Sequence, residues 1–430
     1  MDKIIKVTLW GKEVAAVIWN QEKRFAVIEF FNSFALNNWD ISPLKMPLSD
    51  LTRGERIFSF PHLRDKTFKG LPGLLADALP DDYGNSVIDE WFASQHLSID
   101  VTPLDRLLYI GKRGMGALEF EPDYSNESLN DSTTLSIKGL EILANEVLNQ
   151  RSQFEATIQK NANAYNDILK VGTSAGGAKP KAIIALNELT GELRSGQVKA
   201  PDGFSYWILK FDGMEGGKIK DNPLGIGRIE YAYYKMALDA GIHMSESRLW
   251  LERDKAHFMT KRFDRTENGA KLHTQTLCGI AHFDRDERYS YEQLFQVMRQ
   301  LHLPYQDIEQ MYRRMVFNVI FRNQDDHTKN HSFIMQQNGQ WTLAPAYDIC
   351  YAYDPSGTWT RQHQLSLVGK RDDFTKDDLI SFGKNADIKN PKLILEQILH
   401  IAHSWDQYAY ETEVLKHHQE QIKRHLRLDL

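Results

Sequence analysis

The stretch NQDDHTKNHSF, residues 323–333, crowds two carboxylates, two histidines, a lysine and two asparagines between an apolar run and a short β-like segment. Such a set can hold a proton acceptor beside oxygen ligands for a divalent cation. Asp325 precedes Asn330 by five positions, and Asp348 follows eighteen residues further on, in AYDIC after an apolar strand. That order suits phosphoryl transfer, in which the first carboxylate takes the proton of an attacking hydroxyl while the amide and the second carboxylate hold metal on the phosphates. Metal-assisted hydrolysis is a rival, because Asp325, Asp326, His327 and His331 are all possible ligands. The two histidines, four apart, would share a face only on a helix. Asn323 and Gln324 close the helical run MYRRMVFNVIF, and HSFIM reads as extended, so a loop and a strand are expected. A capped, solvated loop without chemistry is a third reading.

A glycine-rich turn, GTSAGG at 172–177, lets backbone N–H groups approach an anion, and Lys179 and Lys181 follow it. Alone it also fits a plain hairpin turn. Lys210 ends the apolar strand YWILK and could reach nucleotide phosphates while its stem packs. Glu230, early on the following helix, is either its ion-pair partner or an exposed helix charge. The run FMTKRF, 258–263, falls where a kinase would link two lobes, so its backbone could meet an adenine with Phe263 packed nearby. Phe263 fits equally as a core aromatic. HHQEQIKRH near the C-terminus lies on a polar helical pattern and reads as a solvated face.

The elements that must position these groups follow from periodicity. Residues 4–10, 13–19 and 24–31 are β-branched and aromatic runs separated by GK and NQEK, the pattern of an antiparallel meander. Helical periodicity follows from about residue 71, punctuated by Pro80 and Gly84, and Leu104 opens another apolar stretch. DYSNESLNDSTT, 123–134, reads as a linker, with helix over 137–150 beyond it. After the glycine-rich turn come a strand, an LTGE turn, a strand ending at Lys210, a helix over 228–241 stopped by Gly241, and a strand pair over 247–263. The chain beyond about 290 is mainly helical.

At 430 residues the chain is too long for one simple core. Hydrophobic residues make up 42% and charged residues 26%, an ordinary folding composition. The net charge of −6 does not suit a chain that coats nucleic acid by itself. Cys278 and Cys350 are the only cysteines, read as core thiols in a reducing compartment. Charges interrupt the N-terminal apolar run, and nowhere do eighteen apolar residues follow one another, so a cytoplasmic protein away from the membrane is expected.

GTSAGGAKPKA, YWILKFDG, MTKRFDR, NQDDHTKNHSF and LAPAYDICYA, in this order, resemble the HipA-like serine/threonine kinases of bacterial type II toxin–antitoxin systems. GLLADALPDDYGN and IGKRGMGALEF extend the resemblance into that family's N-terminal part, so it runs nearly end to end. It implies an α+β, bilobal kinase-like fold: a β-rich module over 1–126, a kinase N-lobe over 127–264 and a helical C-lobe over 265–430. It also implies Asp325 as catalytic base, Lys210 as phosphate lysine, Asn330 and Asp348 as Mg²⁺ ligands, and Ser174 as the autophosphorylated residue, with Thr173 left open as acceptor. The set expected around ATP is Gly172, Thr173, Ser174, Ala175, Gly176, Gly177, Lys181, Lys210, Lys261, Phe263, His327, Lys329, Asn330 and Asp348. The partners implied are a protein substrate, such as a translation component, and a small helix-turn-helix antitoxin through which DNA is bound indirectly. Against the ordinary kinase pattern, His327 replaces a lysine two residues after the base, and the metal aspartate lies in Tyr-Asp-Ile; both departures fit the HipA-like pattern. A small-molecule phosphotransferase and a catalytically idle, repressor-binding subunit remain the alternatives.

Overall fold

The computed structural model describes residues 4–80, 82–94, 101–123, 132, 134–141, 172, 180–214 and 223–430. By contact the chain divides into two compact units, one of residues 1–224, 259–275 and 335–339, the other of 225–258, 276–334 and 340–430. Among the described residues no helix is long and apolar enough to cross a membrane.

The first unit opens with the expected meander. β1 (Ile4–Leu9), β2 (Lys12–Asn20) and β3 (Phe25–Phe30) pair antiparallel, and β4 (Ile57–Ser59) and β5 (Leu118–Glu121) complete a sheet in the order β4-β3-β2-β1-β5. Alternation drives it: Ile5, Val7 and Leu9 of β1 are fully buried, while Ile4, at the start of the strand and on the opposite face, is exposed. Trp10 and Gly11, at φ 48° and 75°, form the two-residue turn whose positive φ angles match strand twist. The apolar stretch from Leu104 is the helix Pro103–Ile110, started by a capping box in which the Thr102 hydroxyl accepts from the Asp105 N–H and the Asp105 carboxylate accepts from the Thr102 N–H.

β6 (Lys181–Asn187), β7 (Leu193–Ser195) and β8 (Phe204–Lys210) are antiparallel in the order β7-β6-β8. Periodicity missed β7, which is only three residues long. The module and these strands are tied by the buried run Arg262–Asp264–Arg265. Arg262 donates to both Asp264 oxygens at 2.8 and 2.7 Å and to the Gly196 carbonyl at 2.9 Å. Arg265 donates to Asp264 at 2.7 Å and to the carbonyls of Gly114 and Gly116, and the Gly116 N–H also donates to Asp264. Gly196 has no alternative here, since a Cβ would stand 2.3 Å from the Ile184 carbonyl oxygen. Burial alone would raise the Asp264 pKa, but the two guanidiniums outweigh it and hold the carboxyl far below the usual range.

The second unit begins with the helix Ile226–Asp239, followed by β9 (Ser247–Glu252) and β10 (Lys255–Lys261), whose last residues carry the chain back into the first unit. Gly227 lets that helix approach β10, because a Cβ would lie 1.9 Å from the Ala256 carbonyl oxygen. Beyond residue 290 the helices Tyr291–Gln300, Tyr305–Ile320, Lys376–Asn385, Pro391–His403, Trp405–Glu411 and Lys416–His425 dominate, as periodicity predicts. In Tyr305–Ile320 the buried Ile308, Met311, Tyr312, Met315, Val316 and Val319 recur at helical spacing. Phe317 and Phe321 stack at 4.0 Å beneath Tyr233, whose hydroxyl donates to the Phe321 carbonyl at 2.8 Å.

Candidate active site

The loop that carries Asp325 is launched by the way helix Tyr305–Ile320 stops. The Phe321 N–H bonds the Phe317 carbonyl and the Asn323 N–H bonds the Asn318 carbonyl, while Arg322 sits at φ 55° between them. This is a Schellman-type ending with arginine where glycine is usual. Arg322 is held in that conformation by donating to the His425 carbonyl at 2.9 Å and to Asp372 at 3.2 Å, and by lying 4.6 Å from the Tyr353 ring. Strain of this kind accumulates at functional sites.

Beyond the helix, the side chain of Asn330 folds back and its amide N–H donates to the Asp325 carbonyl at 2.7 Å. A short 3₁₀ turn, Thr328–Asn330, makes that possible, capped by His327, whose Nδ1 accepts from the Lys329 N–H at 3.2 Å. The histidines therefore lie on a loop and at the start of the strand Ser332–Met335, as expected, and not on a common helical face. The strand Trp341–Leu343 leads to Asp348, which adopts φ 51°. Asn323 and Ala352 then pair as a parallel bridge, with the Gln324 N–H donating to the Ala352 carbonyl at 3.2 Å. The charges of Asp325 and Asp348 both act on His327.

Burial lowers the His327 pKa, Asp325 and Asp348 oppose the shift, and Arg285 and Lys329 add to it. With Nδ1 accepting, the proton of the neutral ring is on Nε2, 3.8 Å from Asp325 Oδ1. That is too far for a hydrogen bond. The Trp359 indole N–H makes one instead, at 2.5 Å to the same oxygen. Even so the Asp325 side chain keeps 39% of its surface exposed.

Asp326, one residue on, is fully enclosed. It accepts from the Tyr291 hydroxyl at 2.7 Å, the Gln364 N–H at 2.7 Å and His363 Nδ1 at 2.8 Å. Burial pushes its pKa up, and His363, Tyr291 and the Gln364 N–H together outweigh burial and leave it lowered. Asn318 donates to Tyr291 and Asn323 donates to Asn318, so the anchor runs back into the preceding helix. His331 is buried and pushed down to about 4, which keeps it neutral. Asp326 already accepts from three donors, so its oxygens are committed to the protein and not offered as metal ligands.

The oxygen donors that suit Mg²⁺ are Asn330 and Asp348. The bond from the Asn330 amide N–H to the Asp325 carbonyl turns the Asn330 side-chain oxygen away as the ligand end. A carboxamide and a carboxylate are the hard donors this ion takes, usually with water and phosphate completing the shell.

In the first unit, Lys181 and Lys210 are direct partners across β6 and β8. Opposed residues of an antiparallel pair share a face, so both lysine side chains leave the same side of the sheet. Lys181 is buried and Lys210 half-buried. Lys261 ends β10 and is half-exposed, and Phe263 is half-buried. Gly172 is buried in a bend, whereas Thr173, Ser174, Ala175, Gly176 and Gly177 lie outside the described residues. Glu230 is buried rather than an exposed helix charge, Cys278 is a core thiol, and Cys350 is only partly covered.

Sequence reasoning missed Trp359, His363 and Gln364, which belong to an irregular stretch, TWTRQHQ, without periodicity. It also missed Tyr291, although the capping box Ser290–Gln293 marks the helix start that positions it.

With this geometry in hand, the chain shows an α+β, kinase-like fold: a β-rich N-terminal module, a sheet bearing opposed lysines and a mainly helical part with the aspartate loop. It belongs to the HipA-like family. The family model of the HipA N-terminal domain matches residues 5–121, and that of the HipA-like C-terminal domain matches residues 173–407. Among solved structures, HipA in the Shewanella oneidensis MR-1 toxin–antitoxin complex of HipA, HipB and operator DNA is similar over 98% of this chain and 94% of its own, with a TM-score of 0.63 at 16% identity. A Haemophilus influenzae protein named "Putative kinase" is 25% identical over 169 residues, 33% of this chain and 48% of that protein. "Putative kinase Y4dM" of Sinorhizobium fredii is 29% identical over 140 residues, 32% of this chain and 34% of its own. The chain thus spans about half of the first curated relative and a third of the second.

Proposed function

We propose that the chain is an ATP- and Mg²⁺-dependent serine/threonine protein kinase of the HipA-like toxin type. The observation that carries this reading is the tie of Asn330 to the Asp325 backbone on one loop, with the stretch after Asp348 bridged to the start of that loop at Asn323–Ala352 and the charges of Asp325 and Asp348 both acting on His327. Asp325 takes the acceptor hydroxyl's proton as that oxygen bonds to the γ-phosphorus, the bond to the bridging oxygen breaks, and ADP leaves. Asn330 and Asp348 would hold Mg²⁺, which supplies charge neutralisation at the phosphates. Lys181 and Lys210, opposed on β6 and β8, supply cations for the phosphates. Lys261, Phe263, His327 and Lys329 complete the nucleotide set. In this reading residues 1–126 are the N-terminal module, 127–264 the N-lobe and 265–430 the C-lobe of a cytoplasmic protein.

The acceptor is a serine or threonine of a protein such as a translation component, and Ser174 in the glycine-rich turn is the self-modified residue, with Thr173 its neighbour. Family membership supports a small helix-turn-helix antitoxin as partner, which would supply the DNA contacts. The mild acidity of the chain, −6, agrees with DNA being held through a partner.

Thermal unfolding with ATP and Mg²⁺, against ATP and a chelator, tests the reading. Ligand at a hundredfold excess over Kd adds about 2.7 kcal/mol of stability. Mg²⁺ is expected to supply most of the upward shift, and Asp348→Ala to remove that part. Equal shifts in the two conditions would count against the metal site. Mass spectrometry of the same ATP-treated chain is expected to find phosphate on the peptide holding Thr173 and Ser174, and phosphate found only elsewhere would exclude that acceptor.

A further inference from the structure

An aspartate's terminal torsion is broad and close to two-fold, so a carboxylate on a loop does not by itself present one chosen oxygen. Asp325 is an exception because Trp359 holds it. The indole N–H, 2.5 Å from Oδ1, is the only donor within hydrogen-bond distance of that carboxylate among the described residues. The indole is itself fixed. The Gln364 side chain donates to the Trp359 carbonyl at 2.6 Å, and the Gln364 backbone N–H donates to Asp326. The Arg285 guanidinium lies 5.4 Å from the indole centroid, and the His327 ring meets the indole edge-on at 6.2 Å. Asp325, Trp359, Gln364 and Asp326 therefore form a closed circuit of hydrogen bonds, closed by the peptide bond between the two aspartates.

We propose that Trp359 is a positioning residue for phosphoryl transfer: its N–H occupies Oδ1 and turns Oδ2 of Asp325 towards the acceptor hydroxyl. The inference rests on the kinase reading of the site. The alternative, an indole that plugs the base, does not fit a carboxylate still 39% exposed with the indole in contact. Hydrogen bonds to charged groups are worth enough that losing this one should slow the step where the proton moves, leaving nucleotide binding alone.

The experiment uses the full chain with γ-labelled ATP and Mg²⁺, following self-labelling and ADP release. Trp359→Phe keeps the ring under Arg285 and removes the N–H. It is expected to lower kcat roughly 10- to 100-fold with the KM for ATP within about twofold and an unchanged melting temperature. A second readout does not depend on activity. The Trp359 indole N–H line in a nitrogen-15 NMR spectrum, assigned by its absence in Trp359→Phe, should move clearly in Asp325→Ala. An unmoved line, or a Trp359→Phe rate at or above wild type while Asp325→Asn abolishes transfer, overturns the positioning role and leaves the kinase reading standing. Transfer that survives Asp325→Asn, or is absent from the wild-type chain, removes the kinase reading and this role with it.

Discussion

Asp264 and the pair Asp325–Asp326 stand for opposite uses of a carboxylate in the two units. Asp264, fully buried between Arg262 and Arg265, joins the glycine loop at 114–116 to the strand region. Asp326 is equally buried, but its partners are a tyrosine, a histidine and a backbone N–H. Asp325, covalently next to it, touches one indole and remains open. Buried charge fixes structure when its donors are complete, and an adjacent carboxylate with one oxygen held can do chemistry because its neighbour holds the loop.

Breaking the first unit's cluster should have the largest effect. Asp264→Ala leaves two guanidiniums buried without their acceptor, a loss of roughly 3–5 kcal/mol. Chemical denaturation is the check, and a change under about 1 kcal/mol would mean that the cluster relaxes into solvent.

A smaller, pH-dependent effect compares the units directly, since each buries a neutral histidine: His273 in the first and His331 in the second, both pushed down to about 4 by burial. An unfolded histidine titrates near about 6.5. Above that pH neither state is protonated and the full stability is present. Between about 6.5 and 4 the unfolded chain binds protons that the native state refuses, so stability falls as pH drops, by at most about 1.4 kcal/mol per pH unit for each histidine. His273→Gln should flatten the profile by one such contribution over that window, measured by denaturation at pH 7, 6 and 5. An unchanged slope would mean that His273 is charged in the native chain.

Much of this was legible in the sequence. The meander, the strand ending at Lys210, the helix before Gly241 and the helical C-terminal half follow from strong periodicities, and the placement of His327 and His331 follows from reading where a helix stops. Three things were not legible. β7 is too short to show a period. The Arg262–Asp264–Arg265 cluster meets its glycine carbonyls across 66 to 151 residues of chain, which no local pattern reveals. Trp359 and Gln364 hydrogen-bond Asp325 and Asp326 from an irregular segment, and only folding brings them to the loop.

The claim that matters most is the division of labour between adjacent aspartates, and a paired comparison of Asp325→Asn with Asp326→Asn tests it most directly. Each variant is assayed for Mg²⁺-dependent transfer from γ-labelled ATP and for denaturation midpoint. Asp325→Asn is expected to unfold like wild type and to lose transfer by about 10²–10⁴-fold, the range of a general base. Asp326→Asn is expected to lower stability by about 1–3 kcal/mol, because all three of its donors lose a charged acceptor and at least one of them then faces an NH2 group. Transfer near the wild-type rate in Asp325→Asn, together with an unaltered midpoint in Asp326→Asn, would contradict the account.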